Sequence, residues 1–171
     1  AVNMNGAPLP VEHGFPVRML VPGLYGFVSA TKWITDIELT TFAAKQAYWT
    51  PRGWSDHGPV KMASKIVSGS AKPAGAVFTA TVTGAAWATH VGVAKVDVQV
   101  DGSGWRPACL GADAGRDTWR MFRIDLPGLS RGQHVVQCRA TDVTGRVQTQ
   151  IQAPPDPDGA TGWHQVRLTV G

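Results

Sequence analysis

Cysteine is nearly absent from this sequence. Cys109 and Cys138 are the only two in 171 residues, 29 positions apart. Neither stands in a CxxC pair or beside histidines at zinc spacing, which excludes a disulfide-dense scaffold and a thiolate zinc site. Charge is sparse as well. Asp, Glu, Lys and Arg make up 16% of the residues, and the net charge of +4 is spread without any Lys/Arg run. That distribution gives no footprint for nucleic acid. No apolar run approaches the roughly 20 residues of a membrane-spanning helix, so no membrane segment is expected. The first residues carry no signal-peptide pattern, so no targeting address is expected from them. The five histidines form no HxH or HExxH pattern, and GxSxG, P-loop and Rossmann signatures are lacking. Calcium-loop spacing is missing too: Asp113 and Asp117 read as solvated loop residues, and Asp156 and Asp158 sit in a proline-rich stretch that reads as a stiff linker.

What is present is a globular composition, 43% hydrophobic. Residues 17–21 form an apolar strand candidate ended by Pro22-Gly23. Residues 33–39 alternate Trp33, Ile37 and Leu39 against Asp36 and Glu38, as a second strand would. Two strands do not make a stable sheet, so this part reads as the tail of a larger domain or as a segment packed on the C-terminal domain. Residues 42–49 offer a short helix stopped by Pro51-Arg52-Gly53, and residues 68–75 read as a loop. From about residue 77 the pattern becomes regular. Val96, Val98 and Val100, then Val136, Cys138 and Ala140, then Val166, Leu168 and Val170 alternate with polar residues. Strand candidates also cover 60–67, 77–83 and 119–125. Turn signals fall at Asp101-Gly102, Pro127-Gly128, Arg131-Gly132 and Thr144-Gly145. This spacing predicts an immunoglobulin-like antiparallel β-sandwich. Cys138 lies on the apolar phase, as a buried thiol or as a partner of Cys109. Trp87, Trp105 and Trp119 read as packing residues.

One stretch stands apart. His13-Gly14-Phe15-Pro16-Val17-Arg18 is followed by Pro22-Gly23 and Lys32-Trp33. Gly and Pro set the backbone in turns, and an arginine fork with a lysine point charge suits a phosphate. Solvated loop cations are the plainer account of the same residues.

Residues 5–18, with Pro22-Gly23 and Lys32-Trp33, resemble the sulfite oxidase family of molybdopterin-dependent oxidoreductases. The resemblance continues through Val96–Gly102, Trp105-Arg106-Pro107-Ala108, Trp119-Arg120, Ala140-Thr141-Asp142 and Gly159–His164. It implies a mainly β chain: a partial α+β molybdopterin-binding segment over 1–58, then an immunoglobulin-like dimerisation domain over 59–171. It also implies that His13 and Arg18 contact the cofactor and that Ala30, Thr31 and Lys32 close over it. The family's molybdenum-ligating cysteine falls before the matched part. Molybdopterin-molybdenum would therefore belong to a longer parent, with this chain alone expected to hold none and to be inactive. Implied partners are an N-terminal molybdopterin domain and a second copy through the sandwich. Substrate contacts implied near the metal are Arg52 and Trp54. The family has a tyrosine close to the place of Trp54, and an indole offers no phenolic proton, so sulfite itself is not implied. The alternative is a stand-alone self-association or ligand-binding module.

Overall fold

The computed structural model describes residues 1–171. They form two compact units, Ala1–Val60 with Pro154–Ala160, and Lys61–Ala153 with Thr161–Gly171.

The first unit has little regular structure. Strands β1 (Asn3–Met4) and β2 (Ala7–Pro8) pair through a tight turn at Asn5-Gly6, both at positive φ, as a two-residue hairpin requires. Single 3-10 turns occupy Val11–His13 and Thr50–Arg52, each ended by a left-handed glycine. The strands expected over 17–21 and 33–39 do not form. Only one backbone hydrogen bond joins these segments, Ile34 N–H to Val17 O, and Met19 N–H donates to Thr31 O just ahead of the second. Ile37 and Leu39 lie exposed, so their alternation has no sheet to face. The helix expected over 42–49 is also absent. Ala44 and Lys45 both donate to Thr41 O in one turn, and propagation stops there. Eight residues without a packed face do not offset helix nucleation. Residues 154–160 pack rather than link: Ser55 N–H donates to Pro157 O at 2.8 Å, and the Tyr25 ring closes on Gly159 so tightly that a Cβ there would lie 2.3 Å away.

The second unit is the expected sandwich. Its strands are β3 (Ala63–Ala74), β4 (Val77–Trp87), β5 (Val93–Val100), β6 (Arg106–Pro107), β7 (Cys109–Leu110), β8 (Arg120–Leu129), β9 (Gly132–Asp142) and β10 (His164–Val170). They form two antiparallel sheets, ordered β3-β4-β8-β7 and β10-β9-β5-β6. The inward phases of β4, β5, β8 and β9 supply the core: Ala80, Val82, Val96, Val98, Leu126, Val136 and Cys138 are essentially sealed from solvent. Both cysteines are free, Cys138 buried and Cys109 exposed. Burial in this apolar layer pushes the Cys138 thiol up to about 11, so it is an inert, neutral packing group.

Three local readings change. Residues 68–74 continue β3 past a bulge at Ile66/Ser68 and turn only at Gly75. Their small polar composition looks like a loop until β4 supplies the partner. Pro127-Gly128 is no turn but sits inside β8 at a register shift opposite Phe78/Thr79, where proline and a left-handed glycine are tolerated. Trp119 is 66% exposed and stacks on Trp87, centroids 5.6 Å apart. Asp97, on the polar phase of β5, is buried all the same. Lys95 Nζ at 2.9 Å and Arg139 Nε at 3.6 Å offset its charge, while the Arg139 guanidinium lies 4.3 Å from the Trp105 ring centre.

At one end of the sandwich His134 is buried with both ring nitrogens against acceptors. Nδ1 faces Asp101 Oδ2 at 2.6 Å and Nε2 faces Ser130 O at 2.9 Å. Only the imidazolium donates from both nitrogens. The Asp101 contact, then the Ser130 carbonyl, hold His134 above its ordinary value of 6.5. The His134 hydrogen bond, then that from Val135 N–H, hold Asp101 below 3.8.

This packing sets two expected outcomes. Gly84, inside β4, leaves no room for a methyl: a Cβ would stand 2.2 Å from Lys65 O and 2.3 Å from the Phe122 ring. Gly84→Ala is expected to lower the unfolding free energy by about 2–3 kcal/mol, measured by urea denaturation. For His134 and Asp101 the sign is set by linkage. The stabilisation from Asp101 is present above 3.8 and is lost as pH falls through its lower folded value. That from His134 is present below 6.5 and is lost as pH rises through its higher folded value. Urea midpoints measured against pH should decline on the alkaline side, and His134→Gln should flatten that decline.

Candidate functional site

The 3-10 turn Val11–His13 begins after Pro10 and ends at Gly14, with φ 112°. Within so short a turn only Val11 O has a backbone partner, the Gly14 N–H at 3.0 Å, and the later carbonyls have none. All three carbonyls of the turn are taken by long side chains. Trp33 Nε1 donates to Val11 O at 3.1 Å, Lys32 Nζ to Glu12 O at 2.6 Å, and Arg18 Nη1 to His13 O at 3.4 Å. The segment that delivers Lys32 and Trp33 is held by the bonds from Met19 N–H to Thr31 O (2.9 Å) and from Ile34 N–H to Val17 O (3.2 Å). It turns sharply at Ala30 (φ 65°) and Trp33 (φ 52°), in a region that non-glycine residues rarely occupy.

Gly14 lies under this arrangement. A Cβ there would stand 3.1 Å from Lys32 Cβ and Cγ and 3.3 Å from Arg18 Cβ. The stems of both cations therefore close over one buried glycine, with their charged ends at the turn. His13 and Lys32 are exposed, whereas Arg18 is half-buried. Arg18 Nε is sealed from solvent without a hydrogen-bond partner. The donor set is cationic and planar at one prong, which suits a phosphate monoester. No three His, Cys, Asp or Glu side chains converge to ligate a metal, and both cysteines lie in the sandwich unit.

Of the residues expected at the site, His13, Arg18 and Lys32 meet at this turn. Thr31 contributes through its carbonyl, and Ala30 through its backbone bend. Arg52 and Trp54 belong to a second cluster. Arg52 Nη1 donates to Tyr48 O at 2.6 Å, and its guanidinium lies 3.7 Å from the centre of the Tyr48 ring. Trp54 packs on Phe27, centroids 4.7 Å apart, and on Trp49 at 6.0 Å. These contacts occupy both side chains locally. A pocket of about 380 Å³ lies elsewhere in the unit, lined by Glu38, Thr41, Phe42 and Lys45 among others, and contains none of the expected residues. Sequence reasoning missed Trp33 as a member of the site and assigned it to a strand. The Lys32-Trp33 dipeptide was the available signal, but periodicity says nothing of an indole N–H.

Known proteins share this arrangement of sequence. The oxidoreductase molybdopterin binding domain family matches residues 1–49. Mitochondrial sulfite oxidases of Homo sapiens and Mus musculus are each 29% identical over 198 residues, covering 99% of this chain and 36% of theirs. The inducible nitrate reductase [NADH] 2 of Glycine max is 44% identical over 48 residues, 28% of this chain and 5% of that protein. The crystal structure of the sulfane dehydrogenase SoxCD from Paracoccus pantotrophus superposes with a TM-score of 0.70 at 24% identity. It covers 98% of this chain and 47% of that one, a likeness of fold. The chain thus spans about a third of the length of the curated sulfite oxidases it matches.

Proposed function

We propose that the chain belongs to the sulfite oxidase family of molybdopterin-dependent oxidoreductases, to whose members it is similar over nearly its whole length, and that its first unit supplies one wall of a molybdopterin pocket. The remaining walls and the metal-ligating cysteine would come from polypeptide outside these residues. In this reading the chain is the C-terminal part of such an oxidoreductase and is not catalytic by itself. The convergence of Arg18 and Lys32 over Gly14 carries the proposal, supported by the buried, unpartnered Arg18 Nε. A cofactor of that size needs enclosure on most sides, and His13 and Lys32 stand exposed on one.

Bound, the molybdenum of that cofactor supplies two-electron oxygen-atom transfer, chemistry that belongs to the cofactor. The chain's own residues anchor and orient. Arg18 and Lys32 neutralise a phosphate by charge-assisted hydrogen bonds. His13, in the same turn, carries a ring N–H of its own. Trp54, packed among Phe27 and Trp49, offers no phenolic proton to an oxyanion, so the substrate need not be sulfite.

A second role is favoured by the sandwich surface. Trp119, just before β8, and Met121, on β8, are exposed, and Met121 lines a shallow apolar crevice over β7 and β8 with Cys109 and Leu110. We read this as a contact for a second copy of the chain, since contiguous exposed apolar surface of this kind marks association.

Three measurements test these roles. Purified from a host that makes the cofactor, the chain should carry well below one molybdenum per molecule. Near-stoichiometric metal would overturn the one-wall proposal. Phosphorylated oxidised pterin should bind more tightly than its dephosphorylated form, and Arg18→Ala with Lys32→Ala should weaken it roughly tenfold to a hundredfold. For association, sedimentation over a concentration series should give a dimer, and Trp119→Asp should shift it to monomer. A strict monomer at high concentration would remove the second role.

A further inference from the structure

Trp33 combines three features that packing alone does not require together. It is 55% exposed, so burial does not hold it. Its backbone sits at φ 52°, which for a bulky side chain is a genuine outlier that persists only where the surroundings over-determine it. Its two ends serve neighbouring groups: the indole N–H bonds Val11 O at 3.1 Å, and the ring centre lies 5.6 Å from Lys32 Nζ.

From these we infer that Trp33 is a positioning residue for Lys32, holding its ammonium at the Val11–His13 turn ready for a phosphate. The geometry works as a three-pronged grip. Trp33, Lys32 and Arg18 take the carbonyls of Val11, Glu12 and His13 in turn. The carbonyl of Glu12 stands in for the anion, while the indole face adds a cation–π contact that restricts where the lysine swings. The left-handed bend at Trp33 makes this possible, because an extended backbone there would carry the indole off the turn. The purpose given to Lys32 rests on the phosphate reading above; the positioning of Lys32 by Trp33 does not.

The test uses the full chain and two substitutions. Trp33→Phe keeps a ring and loses the N–H. Trp33→Gly loses both and relieves the positive φ. Limited acetylation with acetic anhydride, read by mass spectrometry, reports how far each amine is engaged, with the other five lysines as internal references. Lys32 should react roughly threefold to tenfold faster in Trp33→Gly and by a smaller factor in Trp33→Phe, the other lysines unchanged. Thermal midpoints should hold or rise in Trp33→Gly. Unchanged Lys32 reactivity in both variants, or a fall in thermal midpoint with no change in Lys32, would overturn the positioning role. Affinity for phosphorylated oxidised pterin separates the two ideas. If it survives Arg18→Ala with Lys32→Ala while Lys32 reactivity still rises in Trp33→Gly, the phosphate reading fails and the positioning stands.

Discussion

The carbonyl oxygens of one short turn organise the candidate site. Every backbone acceptor needs a donor, and the chain around Val11–His13 provides only the Gly14 N–H, on Val11 O. The donors come from residues 5 to 22 positions away, two of them cationic. The demand that satisfies the turn thereby gathers positive charge at one place. Gly14 is the steric condition for it, because a side chain at that position would separate the stems of Lys32 and Arg18. In the proposed reading, anion affinity in this region is a by-product of hydrogen-bond satisfaction.

The sandwich is governed by a different constraint. Its stability lies in the inward phase of alternating strands, where valine, leucine and the neutral thiol of Cys138 fill the layer between two sheets. Three buried polar groups of that unit show how partners are found. Gln148 is buried and fully engaged: its Oε1 accepts from Ser64 Oγ at 2.8 Å and from Ala140 N–H at 3.0 Å, and its Nε2 donates to Gly162 O at 2.7 Å. Asp97 is matched by Lys95 and Arg139. His134 is matched by Asp101 and Ser130. Each of these groups holds a loop or strand end to the sandwich by satisfying a polar group that burial would otherwise make costly.

The two units differ in how much of them could be read in advance. In the sandwich, Val96, Val98 and Val100 and their counterparts on β9 and β10 announced both strand and facing, since period-two alternation is a local property of one strand. The same logic failed at residues 33–39. Trp33, Ile37 and Leu39 alternate as well as any strand, yet no neighbouring strand pairs with them and Ile37 and Leu39 face solvent. It failed in the opposite direction at 68–74, where serine, glycine and lysine look like a loop and β4 makes them a strand. Pairing is a property of two segments, and a single segment does not carry it.

At the candidate site, sequence by itself determined the inventory: His13, Arg18 and Lys32 in a glycine- and proline-rich run, a family resemblance that named them, and the absence of any cysteine among the first 60 residues. Tertiary structure alone decided the company they keep. It closed Lys32 and Arg18 over Gly14, turned Trp33 from a strand residue into a clamp on Val11 O, and drew Arg52 and Trp54 into an aromatic cluster of their own. The reason is physical. Residue type sets which charges and donors exist, but where they converge depends on backbone bends at Gly14, Ala30 and Trp33. At Ala30 and Trp33 those bends run against local preference and are held by bonds to distant residues.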